Sequence, residues 1–229
     1  MADHTALATP GRFTMSRRGR IGARVAHGVG IGLFHVAYRV RTPGREHVPA
    51  RGPVLLAVNH TAFLDGPLVV GCSGRPVHVF SKAELFHGPL GFALTSIGQI
   101  PVHRDTADRA ALLTGLDVLS RGGVLAVFPE GTRGAGDFAE VRAGLAWLAL
   151  RSQAPVVPVV CIGTGARGST TMAGLPPVRA RVSAVYGEAF TVPMSEGRKG
   201  SRAALAAATK SVHERLLAHH AYAHRLEIT

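Results

Sequence analysis

Asn59-His60-Thr61-Ala62-Phe63-Leu64-Asp65 follows directly on an unbroken apolar run, Val54-Leu55-Leu56-Ala57-Val58. A histidine and a carboxylate are the two halves of a general-base device. The carboxylate keeps one imidazole nitrogen protonated, and the other nitrogen is left to take a proton from a hydroxyl. Five positions apart on one ideal helix, the two side chains would diverge by roughly 140°. They meet only if His60 lies in the turn and Asp65 reaches back from the first helical turn. A bare HxxxxD also fits a capping turn with an incidental histidine, so the pair has to be judged with the rest of the chain.

Two later apolar runs end in similarly loaded segments, Gly98-Gln99-Ile100-Pro101-Val102-His103-Arg104 and Phe128-Pro129-Glu130-Gly131-Thr132-Arg133. Arginine presents a planar fork that suits a phosphate dianion better than a diffuse charge does. Lys82, in Phe80-Ser81-Lys82-Ala83-Glu84-Leu85-Phe86, fits either a site cation or an ordinary solvated charge. No GxSxG elbow surrounds Ser73, Ser81 or Ser96, so nothing points to an acyl-enzyme.

The elements that must position these residues follow from the spacing of apolar positions. Buried strands are expected at Val54 to Val58, Val77 to Phe80, Ile97 to Val102, Val124 to Phe128, Val156 to Ile162 and Ala180 to Tyr186. Helix-compatible stretches lie between and after them: Leu64 to Val70, Pro89 to Ser96, Thr106 to Ser120, Arg142 to Arg151 and Ser201 to His220. This alternation predicts an α/β fold, a mainly parallel sheet flanked by helices on both faces. In such sheets ligands collect at the carboxyl ends of strands, where the loaded segments fall. Pro158 is awkward in a buried run, because proline removes a ladder donor and belongs at an edge or a bulge.

Ahead of the sheet, Ile21, Val25, Val29, Leu33, Phe34 and Ala37 recur at three- and four-residue intervals between Ser16 and Tyr38, the pattern of an N-terminal amphipathic helix. Arginines crowd its front. It reads as an interfacial helix or as one docked on the sheet, and it falls short of the roughly 20 apolar residues of a membrane span. Residues 1–38 are therefore taken as an arm and membrane-surface helix, and 39–229 as the catalytic domain. Arg24, His27 and several glycines break the stretch, so it does not read as an export signal.

The four segments NHTAFLD, GQIPVHR, FPEGTR and Val157-Pro158-Val159, in this order and at these separations, resemble the ordered motifs of the glycerolipid acyltransferase family, best known for 1-acyl-glycerol-3-phosphate acyltransferases. The similarity runs from about Val54 to Val159. It implies that His60 is the general base and Asp65 its orienter. It implies further that Arg104, Glu130, Gly131, Thr132 and Arg133 surround the acceptor with the arginines toward its phosphate, that Lys82 matches a lysine the family tends to keep, and that Pro158 belongs to the acyl side. The chain departs from the family at Val102 and His103, where an aromatic or aliphatic residue and an acid are common, and at Ala62, where serine is frequent.

The implied reaction moves a fatty acyl group from acyl-CoA or acyl carrier protein to the free hydroxyl of 1-acyl-glycerol-3-phosphate, in phospholipid biosynthesis, with no metal and no cofactor beyond that co-substrate. Another lysophospholipid or lipid-linked acceptor, a hydrolase, and a non-catalytic basic membrane-binding or nucleic-acid-binding module are the rival readings. The composition is compatible with the enzyme. Lys and Arg number 26 against 14 acids, a net charge of +12 that calls for an anionic partner. An anionic membrane surface fits, with the cytoplasmic face as the expected location, whereas no nucleic-acid motif is present. Cys72 and Cys161 form no CxxC pair and read as buried small hydrophobes.

Two further patterns are set aside. Gly163-Thr164-Gly165-Ala166-Arg167-Gly168 spells GxGxxG, but Gly174, Pro176 and Pro177 interrupt the helix a dinucleotide site needs. His213, His219, His220 and His224 form no HExxH and read as a helix face.

Overall fold

The computed structural model describes residues 17–103, 108–165, 174–193 and 202–228. Seven strands form one sheet: β1 (Arg39–Arg41), β2 (Val54–Val58), β3 (Val77–Lys82), β4 (Ile100–Val102), β5 (Val124–Val127), β6 (Val156–Ile162) and β7 (Arg181–Tyr186). Their order is β1-β7-β6-β2-β5-β3-β4. Every neighbouring pair is parallel except β6 with β7. The helices are α1 (Arg17–Ala37), α2 (Asp65–Cys72), α3 (Gly88–Ser96), α4 (Arg109–Ser120), α5 (Ala143–Ser152) and α6 (Arg202–Ile228).

Alternation along β2 divides the interior into two cores. Val54, Leu56 and Val58 join Leu68, Val69 and Phe34 on one face, while Leu55 and Ala57 join Val118, Leu145, Leu148, Val212 and Leu216 on the other. Helices α1 and α2 thus cover one side, and α4, α5 and α6 the other. All five residues of β2 are buried, as a strand covered on both faces requires.

The structure departs from the sequence reading at several element ends. Strand β1, a three-residue edge that pairs in parallel with β7, is too short to show a period. Strand β4 begins at Ile100, because Ile97 still closes α3 through a bond from its N–H to Ala93 O. Helix α4 begins at Arg109, where Asp108 caps it by accepting from Ala111 N at 2.9 Å. Helix α6 runs eight residues past the expected end at His220.

Helix α1 is docked by its small residues. Gly19, Ala23 and Phe34 are buried, and a Cβ on Gly30 would stand 2.7 Å from the Cα of Gly71. A side chain on Gly22 would run into the carbonyl of Ser96. Of the expected stripe only Phe34 among the large residues is buried, while Ile21, Val25, Val29 and Leu33 face outward and are each at least half exposed. Among the described residues, no helix is long and apolar enough to cross a membrane.

Candidate active site

Strand β2 delivers Asn59 and His60 to the carboxyl edge of the sheet. Asn59 fastens that edge: its Nδ2 donates to Cys161 O at 3.2 Å, and its Oδ1 accepts from Cys161 N at 2.7 Å, which ties the end of β2 to β6. The chain then turns, and Asp65 is the first residue of α2. From there its carboxylate reaches back over the turn, the arrangement the five-residue spacing demands.

Nδ1 of His60 lies 3.1 Å from Asp65 Oδ2. Both side chains are almost wholly buried, Asp65 completely so. The same Oδ2 accepts from the backbone N–H groups of Thr61 and Ala62 at 2.7 Å each. Oδ1 accepts from the Thr164 hydroxyl at 2.6 Å and more weakly from that of Thr61 at 3.5 Å. The buried charge thus has several donors, which is what burial of a carboxylate requires. Because Asp65 accepts at Nδ1, the neutral ring carries its proton there and presents Nε2 as an acceptor. Phe128 stacks on the imidazole with ring centroids 4.2 Å apart and fixes its plane.

The loop after β5 closes over the same spot. Gly134 N donates to His60 O at 2.9 Å, and the backbone N–H groups of His60 and Phe138 donate to the Glu130 carboxylate. Burial is the main influence on that carboxyl and pushes it up to about 7. Its Oε1 is buried without a hydrogen-bond partner. Gly131 is in the left-handed region, at φ +76°, which favours glycine, and the Arg142 side chain lies against it, 2.5 Å from where a Cβ would stand. Arg133 holds its guanidinium 5.7 Å from the Phe63 ring centroid, which places a cation within the His60 to Asp65 turn. Thr132 is exposed on the same loop.

Two further expected residues lie apart from this cluster. Lys82, at the end of β3, is half exposed and pairs with Glu84 at 3.2 Å. Pro158 is buried in β6, opposite Ala57 of β2. On its other side the β7 register shifts by one residue between the Val159–Tyr186 pair and the Val156–Phe190 bridge. The proline therefore sits at a bulge, where its missing donor is tolerated. Arg104 lies outside the described residues.

Sequence reasoning missed four contributors. Thr164, in the glycine-rich segment set aside above, bonds Asp65 from 99 positions away. Phe128 was read as the end of a strand, Asn59 was quoted without a role, and Arg142 was read only as a helix start although it packs on Gly131. The histidines of α6 do structural work: His213 Nε2 bonds Phe138 O at 2.7 Å, and His219 Nε2 bonds Val185 O at 3.0 Å. Among the described residues no group of three or more metal-ligating side chains occurs.

Beside Phe128 opens a cavity of about 590 Å³, lined mostly by apolar groups including Phe80, Val102, Ala111, Leu112, Trp147 and Leu205. Pro129, Gly131 and Arg142 border it as well, so it adjoins the loop that carries the site. Its size is that of a small-molecule pocket, about 300–1,000 Å³.

A buried histidine and aspartate, a cation and an apolar cavity thus lie close together at the carboxyl edge of the sheet. A family model described as Acyltransferase matches residues 39–162, more than half of the chain, and the chain belongs to that family. It is 29% identical over 126 residues to the 1-acyl-sn-glycerol-3-phosphate acyltransferase of Bacillus subtilis, a match spanning 54% of this chain and 63% of that protein. It is 32% identical over 138 residues to the human 1-acyl-sn-glycerol-3-phosphate acyltransferase alpha, spanning 56% and 48%. The chain thus covers less than two thirds of either relative. The crystal structure of the 1-acyl-sn-glycerophosphate acyltransferase PlsC from Thermotoga maritima shares the fold, with a TM-score of 0.56, 21% identity, and coverage of 85% of this chain and 79% of that one.

Proposed function

We propose that the protein transfers a fatty acyl group from acyl-CoA or acyl carrier protein to the free hydroxyl of 1-acyl-glycerol-3-phosphate at an anionic membrane surface, in phospholipid biosynthesis. The observation that carries this reading is the His60–Asp65 pair, buried, tied at 3.1 Å and stacked on Phe128, which lines an apolar cavity. Nε2 of His60 takes the proton of the acceptor hydroxyl as its oxygen attacks the thioester carbonyl. The tetrahedral oxyanion collapses, the C–S bond breaks, and the imidazolium returns its proton to the departing thiolate. Asp65 stays ionised throughout and stabilises the imidazolium.

The surrounding groups take complementary parts. Arg133 is suited to the acceptor phosphate, and the cavity beside Phe128 is suited to an acyl chain. The printed names of the Bacillus and human relatives support the same acceptor. The outward apolar stripe of α1, with Leu90 and Phe92 exposed on the neighbouring α3, supports an interfacial seat for the protein. Arg17, Arg18 and Arg24 on the exposed surface of α1 would add attraction to anionic headgroups.

The test follows thiol released from palmitoyl-CoA or acyl carrier protein thioester, with 1-acyl-glycerol-3-phosphate, other lysophospholipids or no acceptor, for wild type and His60→Ala. Release that needs the lysophosphatidic acceptor and drops about 10²–10⁴-fold in the variant supports the proposal. Release independent of acceptor makes the protein a thioesterase, and no release with either donor removes the catalytic reading.

A further inference from the structure

Away from the catalytic edge, four arginines converge on a small pocket of about 180 Å³ lined by Arg20, Arg24, Arg75, His78 and Arg121. It lies where Pro76 leads into β3 and Gly123 into β5, at the amino ends of those strands. His60 and Glu130 follow the carboxyl ends of β2 and β5, so the sheet separates the two sites.

Within this pocket Arg75 is held in place without being neutralised. Arg75 donates from Nη1 to Pro49 O and from Nη2 to Gly122 O, both at 2.7 Å, so carbonyls fix its guanidinium without neutralising it. Burial accordingly favours its uncharged form, and its pKa is lowered. Arg121 pairs with Asp117 through Nε and Nη2, which leaves Nη1 for another acceptor. Among the described residues no carboxylate lines the pocket. His78 has Nδ1 2.7 Å from Gly98 O, so Nδ1 is the donor and Nε2 is left over in a ring that lines the same space. Burial and the field of Arg20 both hold this imidazole below its ordinary value.

A phosphate group answers each of these features. It is small, anionic at neutral pH as a free ion or as a phosphodiester, and offers several oxygens to planar guanidinium forks and to an imidazolium. Position adds a second argument. Arg20 and Arg24 precede Ile21 and Val25 by one residue, about 100° around the helix, so they flank the outward apolar stripe of α1. A surface that seats this stripe at an interface would bring the arginines to headgroup level.

We infer that the pocket formed by Arg20, Arg24, Arg75 and Arg121 is a phosphate-binding site separate from the catalytic centre, open to the headgroup of an anionic phospholipid or to free phosphate. It does not depend on the transferase reading, and its readout is not activity. The experiment follows the His78 imidazole by NMR through a pH titration, in chloride and in inorganic phosphate at equal ionic strength. The same titration is then run with phosphatidylglycerol and with phosphatidylcholine vesicles.

Bound phosphate offsets the arginine field, and the His78 midpoint rises by about one pH unit. A rise with inorganic phosphate identifies a free-anion site, and a rise with phosphatidylglycerol alone identifies a headgroup site. Arg24→Glu weakens binding at least about tenfold, the loss of a charge-assisted contact. Lys210→Glu makes the same charge change on α6, outside the pocket and away from α1, and leaves binding in place. Arg121→Gln combined with Asp117→Asn keeps the net charge and also weakens binding. No rise in phosphate or phosphatidylglycerol overturns the inference, and so does a rise that Lys210→Glu abolishes as completely as Arg24→Glu.

Discussion

Replacing Asp65 by Asn tests whether the carboxylate acts by its charge or only by its shape. Oδ2 accepts from His60 Nδ1, Thr61 N and Ala62 N, whereas the chief partner of Oδ1 is the Thr164 hydroxyl at 2.6 Å. An asparagine fits this pattern in one orientation, with its amide oxygen at the Oδ2 position and its NH₂ toward Thr164, whose hydroxyl can turn to accept. The three N–H donors stay satisfied, His60 keeps its proton on Nδ1, and the fold survives. What disappears is the charge that stabilises the imidazolium in the transition state. A hydrogen bond to a charged group contributes about 1.5–3 kcal/mol and a neutral one about 0.5–1.5. The difference, about 1–2 kcal/mol, lowers kcat/KM by about 5–30-fold.

His60→Ala, which removes the base itself, should cost about 10²–10⁴-fold. Asp65→Ala is the structural control. It strands the buried N–H groups of Thr61 and Ala62 and the Thr164 hydroxyl, at about 1–3 kcal/mol for each stranded group. The assay is acceptor-dependent thiol release for the three variants beside denaturant unfolding of each. An Asp65→Asn enzyme with unchanged kcat/KM would show that the charge has no part in the chemistry. One as dead as His60→Ala and still folded would show that the tautomer was lost, contrary to the orientation argued here.

Other perturbations test the shell around that pair. Thr164→Val removes a short bond to a buried carboxylate and should lower unfolding free energy by about 1.5–3 kcal/mol, with Thr164→Ser restoring most of it; equal stability of the valine form in denaturant melts would deny Thr164 its role. Glu130 is raised from 4.5 to about 7, so the folded state binds more protons than the unfolded between those values and stability falls as pH rises through that window. Glu130→Gln should flatten that fall in melting temperature measured across the window, and an unchanged slope would assign it to another group. Gly144 borders the cavity beside Phe128, and a Cβ there meets only Leu112 Cδ2, at 3.7 Å. Gly144→Leu should therefore spare the backbone of α5 while reducing activity with long-chain donors more than with short ones, and equal losses across chain lengths would place the acyl chain elsewhere.

How much of this was legible in the sequence depended on the range of the interaction. Unbroken apolar runs disclosed every strand except β1, whose three residues carry no period. Loaded segments after those runs disclosed the carboxyl-edge site, and the five-residue spacing of His60 and Asp65 implied the turn that joins them. Thr164 was invisible for a different reason: it lies 99 positions from its partner, and only the pairing of β6 beside β2 brings them together. Element ends slipped where capping overrode composition, as at Asp108.

The side of α1 that docks was the least legible feature, because the usual rule inverts there. Apolar residues at helical spacing ordinarily mark the buried face. In α1 Ile21, Val25, Val29 and Leu33 of that stripe face out while Gly22 and Gly30 face in, meeting backbone at Ser96 and Gly71 where no larger residue fits. Close backbone approach selects for the absence of a side chain, and hydropathy does not register that demand. An apolar stripe left outward on a docked helix, flanked by arginines, is the surface that the proposed interfacial seat would use. The amphipathic period thus identified the helix, and of the two readings it left open, the outward stripe disagrees with the one in which that stripe packs on the sheet.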